Sequence, residues 1–562
     1  MTTTQTTTKV TAPAPAEPAT SGILALPPHI ARATATAGGA ITVISAFLAW
    51  TWTSAFPGDL TVYGYPGGLQ WLVLVSGALL TLFGLSSYGI KGLTWLTPQG
   101  ADPAIRLAAY AALATAWFSM GAIATTLGGV VNLEPGAYVA LAGTLIGWIG
   151  ARSLPYERPE TTPADPEDTG FGQFKHNLGN RWETYKGAFT TGTAAPAKTL
   201  PSYVEILIVA VVLALGLVVF TYGITTEYDE LFIGFLITAG FGFAAIQKAG
   251  LIQRVSALTA RHRNVTLVGA FAAAAAFPFT QSDDQYATIG VNILIFATVA
   301  LGLNIVVGLA GLLDLGYVAF LGVGAYAAAL VSGSPTSPFG IHLPFWQAIL
   351  VGAVASMIFG VLIGAPTLRL RGDYLAIVTL GFGEIFRIAV LNLDGTSGPD
   401  VTNGSNGISS IPNLNLFGFD FGATHTIAGF TIGRFANYFF LMLLVGATLA
   451  GLAGAVQAHV TYTVTPEQYQ FAHAVPPNSA FLLAAVVLGG MGTISGPLVG
   501  GALLFLIPAK LQFMSDYQLF AFGLALVLLM RFRPEGLIAN RRQQLEFHEK
   551  DEAPATLTKA GA

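Results

Sequence analysis

The sequence of 562 residues contains no cysteine, so it has no disulfide, thiolate metal site or cysteine nucleophile. A phosphate-binding G-x-x-x-x-G-K-[ST] loop is also absent, which predicts that the chain does not hydrolyse ATP itself. No H-E-x-x-H pair occurs and the eight histidines are scattered. We therefore expect no metal centre in this chain and no enzymatic activity of its own.

Charge is scarce: 10% of the residues are charged, against 53% that are hydrophobic. This composition is typical of a membrane protein, and the small net charge of -4 indicates no nucleic-acid partner. Apolar runs near the length of a spanning helix recur, without the alternation of barrel strands. We predict helices at 36–54, 70–90, 107–128, 136–151, 203–222, 231–247, 265–279, 287–308, 313–332, 345–367 and 374–392.

Lysine and arginine collect in alternate loops between these runs, as the positive-inside rule requires of cytosolic loops. The intervening loops carry mainly acidic residues. This alternation predicts that both termini are cytosolic and that the chain lies in the cell (plasma or inner) membrane. The predicted inside residues include Arg32, Lys91, Arg106, Arg152, Lys198, Lys248, Arg254, Arg261, Arg263, Arg369, Arg371, Arg531 and Arg533.

Five segments follow from this map. Residues 1–35 form a disordered tail rich in Thr, Ala and Pro, and residues 36–152 form an N-terminal module of about four spans. A cytosolic linker, 153–201, leads to a core over 202–545, and 546–562 form a cytosolic tail.

Glycines concentrate inside the apolar stretches of the second module, on both sides of residue 400. Such residues allow close helix packing, and with Pro497 they favour broken helices that line a solute path. Ordinary tight packing is the alternative. The candidates for the path in these stretches are Asn304, Tyr317, Gly489, Gly490 and Gly492.

Three charged residues lie within apolar runs. Asp314 either caps a helix that starts near Leu315 or lines the path. Glu384 and Arg387 are three residues apart and share a helix face, so they form either a functional pair or a structural salt bridge. Three residues, Arg369, Arg371 and Asp373, are interpreted as the cytosolic anchor of the same helix.

The segment from Asp394 to Asn413 is polar and opens a long outward loop. It is interpreted as a docking surface or external vestibule, or as a plain connector.

The second module resembles the LivM-type permeases of branched-chain amino-acid ABC importers, and its blocks follow the order of that family. The resemblance implies an all-α polytopic membrane protein with the helical bundle of an ABC importer permease, to which the N-terminal module is an addition. The blocks are 301–330, 366–388, 398–408, 446–460, 486–508 and 530–537.

The resemblance also implies partners: a second, LivH-like permease, two cytosolic ATPase subunits and a substrate-binding protein outside the membrane. ATP and Mg²⁺ would bind the ATPase subunits, and this chain would hold no cofactor. Leucine, isoleucine and valine are the expected cargo, with urea or short amides as alternatives. A secondary carrier, a channel or a non-transporting scaffold are the competing functions, and the role of 36–152 stays open.

One departure from the family pattern concerns the cytosolic coupling loop. No charged residue occurs between Arg434 and Glu467, so a hydrophilic loop is missing there. A helix over 437–460 would be about 36 Å long, enough for a single crossing. Either two spans are fused into one and 479–511 then crosses once, or 437–460 bends back without crossing. We therefore hypothesise that coupling to an ATPase is weak or lost.

Overall fold

A computed structural model describes most of the chain outside its termini and the central linker. The described residues are 26–52, 67–90, 92–154, 200–281, 283–309, 311–367, 373–396, 398–416, 418–427, 430–445, 450–469, 478–493 and 495–511, with a few isolated positions from 517 to 537. The chain divides into two compact units, Met1–Val211 with Glu227–Thr266 and Val212–Thr226 with Leu267–Ala562.

The first unit is helical. Its elements are α1 (Pro28–Ser45), α2 (Leu69–Ser86), α3 (Asp102–Leu127), α4 (Pro135–Ser153), the first part of α5 (Ser202–Thr225), α6 (Asp229–Ala249) and α7 (Leu251–Arg261). Helices α1, α3 and α4 begin with proline in the first turn, where its fixed φ suits a helix and its missing N–H has no partner to lose. Helices α3 and α6 end at Gly128 and Gly250, both with left-handed φ.

Helix α1 packs against α4 through glycines and alanines. A Cβ at Gly38 would overlap the backbone of Gly147, and one at Gly150 would overlap that of Ala35. Small residues therefore let the two backbones approach closely. Because α1 begins at Pro28 and buries Ala31 and Ala35, residues 28–35 belong to this packed helix rather than to the predicted disordered tail.

Ion pairs join elements of the first unit. Arg32 Nε donates to Asp102 Oδ1 at 2.9 Å, which links α1 to the start of α3. The buried Glu205 of α5 accepts from Arg261 at 2.6 Å and contacts His262 Nε2 at 2.8 Å. The unit thus includes residues 227–266, which the sequence assigned to the second module. The boundaries predicted around the linker stay a prediction, because 155–199 lie outside the described residues.

The second unit contains the remaining helices. They are α8 (Arg263–Ala276, from Leu267), α9 (Asp284–Asn304), α10 (Tyr317–Val331), α11 (Phe345–Thr367), α12 (Asp373–Asn392), α13 (Arg434–Val445), α14 (Ala450–Thr461), α15 (Ser479–Gly489) and α16 (Ser495–Lys510). A π-helical segment, Ile305–Leu309, follows α9. Helix α10 packs against α11, α12 and α14 and buries Ala319, Leu321, Ala325 and Ala328.

Four short strands precede α13 in two antiparallel hairpins. Strand β1 (Asn415–Leu416) pairs with β2 (Phe419–Asp420), and β3 (His425–Ile427) pairs with β4 (Phe430–Ile432). They are too small to change the fold class, and the predicted all-α polytopic architecture is confirmed.

Among the described residues, seven helices are long and apolar enough to cross a membrane. They confirm a multi-pass membrane protein. Five of them have both ends within three residues of a predicted run. The spans are Leu69–Ser86, Asp102–Leu127, Ser202–Thr225, Asp229–Ala249, Gln285–Gly308, Phe345–Gly364 and Tyr374–Asn392.

Candidate functional site

Asn304 joins the end of α9 to the turn between α15 and α16. Its Nδ2 donates to the carbonyl oxygen of Thr493 at 2.8 Å, and its Oδ1 accepts from the backbone N–H of Gly492 at 2.9 Å. The side chain is 4% exposed, so both bonds are shielded from water. The structure therefore brings together two residues that the sequence proposed separately, and it uses Asn304 to hold the turn.

Glycines make the contact between α15 and α16 close. A Cβ at Gly489 would overlap the carbonyl group of Gly496, and one at Gly500 would overlap that of Ala485. Gly489 meets Gly496 next to the turn, and Ala485 meets Gly500 one turn of helix further from it, so the two helices are antiparallel. Gly490 and Gly492 have φ of 118° and 75° in the turn, where side chains are strained.

The hairpin of α15 and α16 is built from helices of 11 and 16 residues. At about 1.5 Å per residue they extend roughly 16 and 24 Å, less than the ~30 Å hydrocarbon core. The prediction that 479–511 crosses once as a single broken run is therefore wrong, and the region is a hairpin of two short elements.

Asp314 lies in the loop between α9 and α10. Its Oδ1 accepts from the backbone N–H of Gly316 at 2.9 Å, and the residue is 9% exposed. Burial raises its pKa, while hydrogen bonds to Gly316 and Thr379 act in the opposite direction. The neighbouring Leu315 N–H donates to Thr379 Oγ1 at 3.0 Å, which fixes the loop to α12. The prediction that Asp314 caps a helix starting near Leu315 is wrong, since α10 begins at Tyr317 with Gly316 as its N-cap and no side chain caps it. Asp314 instead orders the loop that leads into the helix.

Tyr317 is buried beside α9. Its hydroxyl lies so close to Gly302 that a Cβ there would overlap it. Tyr317 therefore packs on α9 at Gly302, whereas Asn304 and Gly492 meet at Gly308 in the π-helical segment. The backbone N–H of Val318 donates to Ser479 Oγ at 3.3 Å and joins the start of α10 to the start of α15.

Glu384 and Arg387 pair with each other on α12. Arg387 Nε donates to Glu384 Oε2 at 2.9 Å, and the two side chains remain 38% and 25% exposed for Glu384 and Arg387 respectively. The predicted pair is thus present within one helix. Of the predicted cytosolic anchor, Arg369 and Arg371 lie outside the described residues, and Asp373 is the first residue of α12.

Helices α13 and α14 form a second hairpin. The guanidinium of Arg434, the first residue of α13, donates to the carbonyl oxygen of Val460 at 2.8 Å and of His459 at 3.4 Å. It also lies over the ring of Tyr462, 3.2 Å from its centroid. The beginning of α13 is therefore beside the end of α14, and the helices are antiparallel.

Each helix of this second hairpin has 12 residues, or about 18 Å of length. Neither is long enough to cross the ~30 Å core. The prediction that 437–460 is a single fused crossing is wrong, and the alternative that this segment bends back is confirmed. The sequence shows that this segment has no charged residue after Arg434. It does not show the role of Arg434, whose partners are backbone carbonyl groups.

The outward loop predicted at 394–413 is ordered in its described residues. Asn403 Nδ2 donates to the carbonyl oxygen of Thr336 at 2.7 Å, and Ser334 Oγ donates to that of Ser409 at 2.6 Å. A bridge between Ile408 and Val464 joins the loop to the end of α14. The loop is therefore held against neighbouring segments by hydrogen bonds.

A half-open cavity of about 340 Å³ lies beside this loop. Its polar lining includes the buried His459, whose Nδ1 is 2.8 Å from the carbonyl oxygen of Ala455 and whose ring meets the edge of Phe345. The lining residues are Ser332, Leu343, Pro344, Phe345, Trp346, Pro412, Asn413, Asn415 and His459.

The sequence also missed an aromatic triad beneath the loop. Tyr326, Phe386 and Tyr469 have ring centroids 6.2 to 6.4 Å apart in edge-to-face arrangements. Both tyrosines are buried, and within the described residues their hydroxyls have no hydrogen-bond partner. No local pattern in the sequence could reveal a contact among residues so far apart along the chain.

Comparison with known proteins gives two consistent findings. Residues 285–445 match the family described as the permease component of the branched-chain amino acid transport system. The chain is 34% identical over 342 residues to the high-affinity branched-chain amino acid transport system permease protein LivM of Escherichia coli K12, with 50% of this chain and 76% of that protein covered. LivM of Salmonella typhimurium LT2 is 34% identical over 335 residues, with 49% and 74% covered. No solved structure gave a significant match.

Proposed function

This chain belongs to the LivM-type family of branched-chain amino acid permeases, and we propose that it is the membrane subunit of an ATP-driven importer of leucine, isoleucine and valine. The proposal rests on its 34% identity to relatives named for that transport, over 76% and 74% of their lengths. A transport subunit also agrees with a sequence that has no phosphate-binding loop.

In this proposal the second unit forms the solute path together with a second, LivH-like permease. Two cytosolic ATPase subunits supply ATP hydrolysis, and an outside binding protein delivers the amino acid. The alternation of basic loops supports cytosolic termini. The loop around Asn403, which hydrogen bonds hold to its neighbours, and the cavity beside it support a docking surface for the binding protein.

The test is uptake into proteoliposomes that contain the chain with its partner subunits. Labelled leucine should accumulate only with ATP inside and binding protein outside, and a protonophore should leave uptake unchanged. Excess isoleucine or valine should compete, whereas urea and acetamide should not. Uptake that stops with the protonophore and ignores ATP would instead identify a secondary carrier.

A second candidate function is a permease that does not receive ATP-driven motion itself. Three observations favour it. The family match ends at residue 445, where α13 ends, and only four residues separate α13 from α14. The alignment with the relative from Escherichia coli spans 342 positions, but only 50% of this 562-residue chain takes part in it. Some aligned residues of the relative therefore have no counterpart in this chain. Finally, the α13–α14 hairpin is too short to reach from one membrane surface to the other.

The two candidates differ in what purified subunits do. A coupled permease should bring down the ATPase subunits when it is purified alone, and binding protein loaded with leucine should stimulate their activity. An uncoupled subunit should bring them down only when the second permease is also present. Pull-downs with each permease singly, and with both, separate the outcomes.

A further inference from the structure

Helix α12 carries two ionisable side chains in the middle of a candidate membrane span. The span runs from Tyr374 to Asn392. At about 1.5 Å per residue, Glu384 lies roughly 15 Å from Tyr374, which is half of the ~30 Å hydrocarbon core. Placing one such group in lipid costs at least about 2.5 kcal/mol, so the position calls for a polar surrounding.

The pair has capacity for further partners. Glu384 binds Arg387 through one carboxylate oxygen and one guanidinium nitrogen, Nε. Across the part of the chain that the structure describes, this is the only hydrogen bond or ion pair of either side chain. One carboxylate oxygen and the two terminal guanidinium nitrogens therefore remain available.

The opposite side of α12 is the one that packs inside the unit. Leu375 and Thr379 are buried, and Phe386 fills the space beside Gly322 of α10. Glu384 lies on the open side of the helix, opposite Leu375 and Thr379, and Arg387 lies between the open side and the buried side. They are thus accessible from a space that this unit does not fill.

The open side has an apolar character around the pair. The helical period places Ile377, Gly381, Glu384 and Ile388 in one stripe. Ile377 is 64% exposed and Ile388 is 48% exposed. A Cβ at Gly381 would have no neighbour within 4 Å, so this glycine leaves a notch one turn from the carboxylate.

We propose that Glu384 and Arg387 bind the zwitterionic head group of an aliphatic amino acid as it crosses the membrane. The ammonium group of the solute pairs with the Glu384 carboxylate, and its carboxylate pairs with the Arg387 guanidinium, whose planar donors suit that geometry. The aliphatic side chain lies over Ile377 and Ile388. One internal ion pair is exchanged for two, and the net charge at this depth remains zero.

This site rests on the proposed function, which supplies an amino acid as the solute. An ion pair that only stabilises the helix would behave differently in the test below, because it requires neither access of water nor a bound solute. The two are separated by labelling a cysteine placed in the notch. The chain has no cysteine of its own, so Gly381→Cys introduces a single thiol.

The assay uses membranes that contain the assembled transporter with this variant, its partner subunits being free of reactive thiols, and a charged, water-soluble thiol reagent. We expect Cys labelling at position 381 and protection by leucine. At a concentration about four times its dissociation constant, leucine should slow labelling about fivefold. Leucinamide, which lacks the carboxylate, and 4-methylpentanoate, which lacks the ammonium group, should protect far less.

Two controls complete the design. A Cβ at Gly360 of α11 would also have no neighbour within 4 Å, and leucine should not change the labelling rate of Gly360→Cys. Adding Glu384→Gln and Arg387→Gln to Gly381→Cys removes both charges and keeps the side chains polar. We expect this triple variant to label at the unprotected rate with or without leucine.

An unreactive thiol would overturn the proposal, because the pair would then face lipid or packed protein. Equal labelling with and without leucine would overturn it as well, and so would protection that survives in the triple variant. The assay needs neither ATP nor uptake. Protection in a complex that imports no leucine would therefore keep the site and refute the proposed function, whereas import without protection would do the reverse.

Discussion

Replacing Asn304 with alanine tests whether this side chain holds the turn between α15 and α16. The substitution removes a donor to Thr493 and an acceptor for Gly492. Both backbone groups then lose their partner at a position where Asn304 itself is 4% exposed, so water replaces it poorly. At about 1 to 3 kcal/mol for each of the two buried groups that lose their bond to Asn304, we expect a loss of roughly 2 to 6 kcal/mol in the free energy of unfolding.

The measurement is denaturant-induced unfolding of the purified chain in detergent, followed by a probe of tertiary structure. Asn392→Ala is the matched control, because Asn392 is at the end of α12 and its side chain makes one exposed bond to the carbonyl oxygen of Ile388. The control should change stability by less than about 0.5 kcal/mol. If Asn304→Ala behaves like the control, the bonds to the turn contribute little and the reasoning is refuted.

Three further predictions use the same measurement. Gly489→Ala should destabilise by about 2 kcal/mol or more because its Cβ overlaps the carbonyl of Gly496, whereas Gly360→Ala, which has open space, should be neutral or stabilising by up to about 1 kcal/mol. Arg434→Ala should cost about 2 to 4 kcal/mol, since it removes a charged donor from the end of α14 and a ring contact; an unchanged midpoint would contradict the closed hairpin. Glu205→Gln should weaken the first unit by about 2 kcal/mol or more, because the buried carboxylate has two basic partners, and a neutral effect would show that they find water instead.

The resemblance found in the sequence covered the second unit well. The glycine-rich blocks and the mid-span pair Glu384–Arg387 were identified from residue type and spacing alone, and the structure confirms the ion pair within one helix. The loop 394–413 was also recognised as a distinct surface, because its polarity contrasts with the apolar runs on either side. These features are local, so a short window of sequence contains them.

The roles of the candidate residues depend on partners that are distant along the chain. Asn304 was proposed for the path, yet its amide holds a turn nearly two hundred positions away along the chain. Asp314 had two interpretations, as a helix cap or as part of the path, and only the structure showed that its carboxylate orders the loop before α10 through Gly316 without capping the helix. A side chain's partner depends on which distant backbone group arrives beside it, and no spacing rule gives that.

By itself, the sequence determined that this protein lies in a membrane and which family it belongs to. Apolar run length, charge placement and motif order are properties of the linear chain. It also determined that 435–466 contains no charged residue. Only the tertiary structure decided the consequence: Arg434 binds the carbonyl groups at the end of α14, so the segment folds back rather than crossing. The physical reason is that a stretch of about 24 apolar residues satisfies the length of a single span and of a short hairpin equally well. The choice between them depends on tertiary contacts, such as those of Arg434 with the carbonyl groups of His459 and Val460.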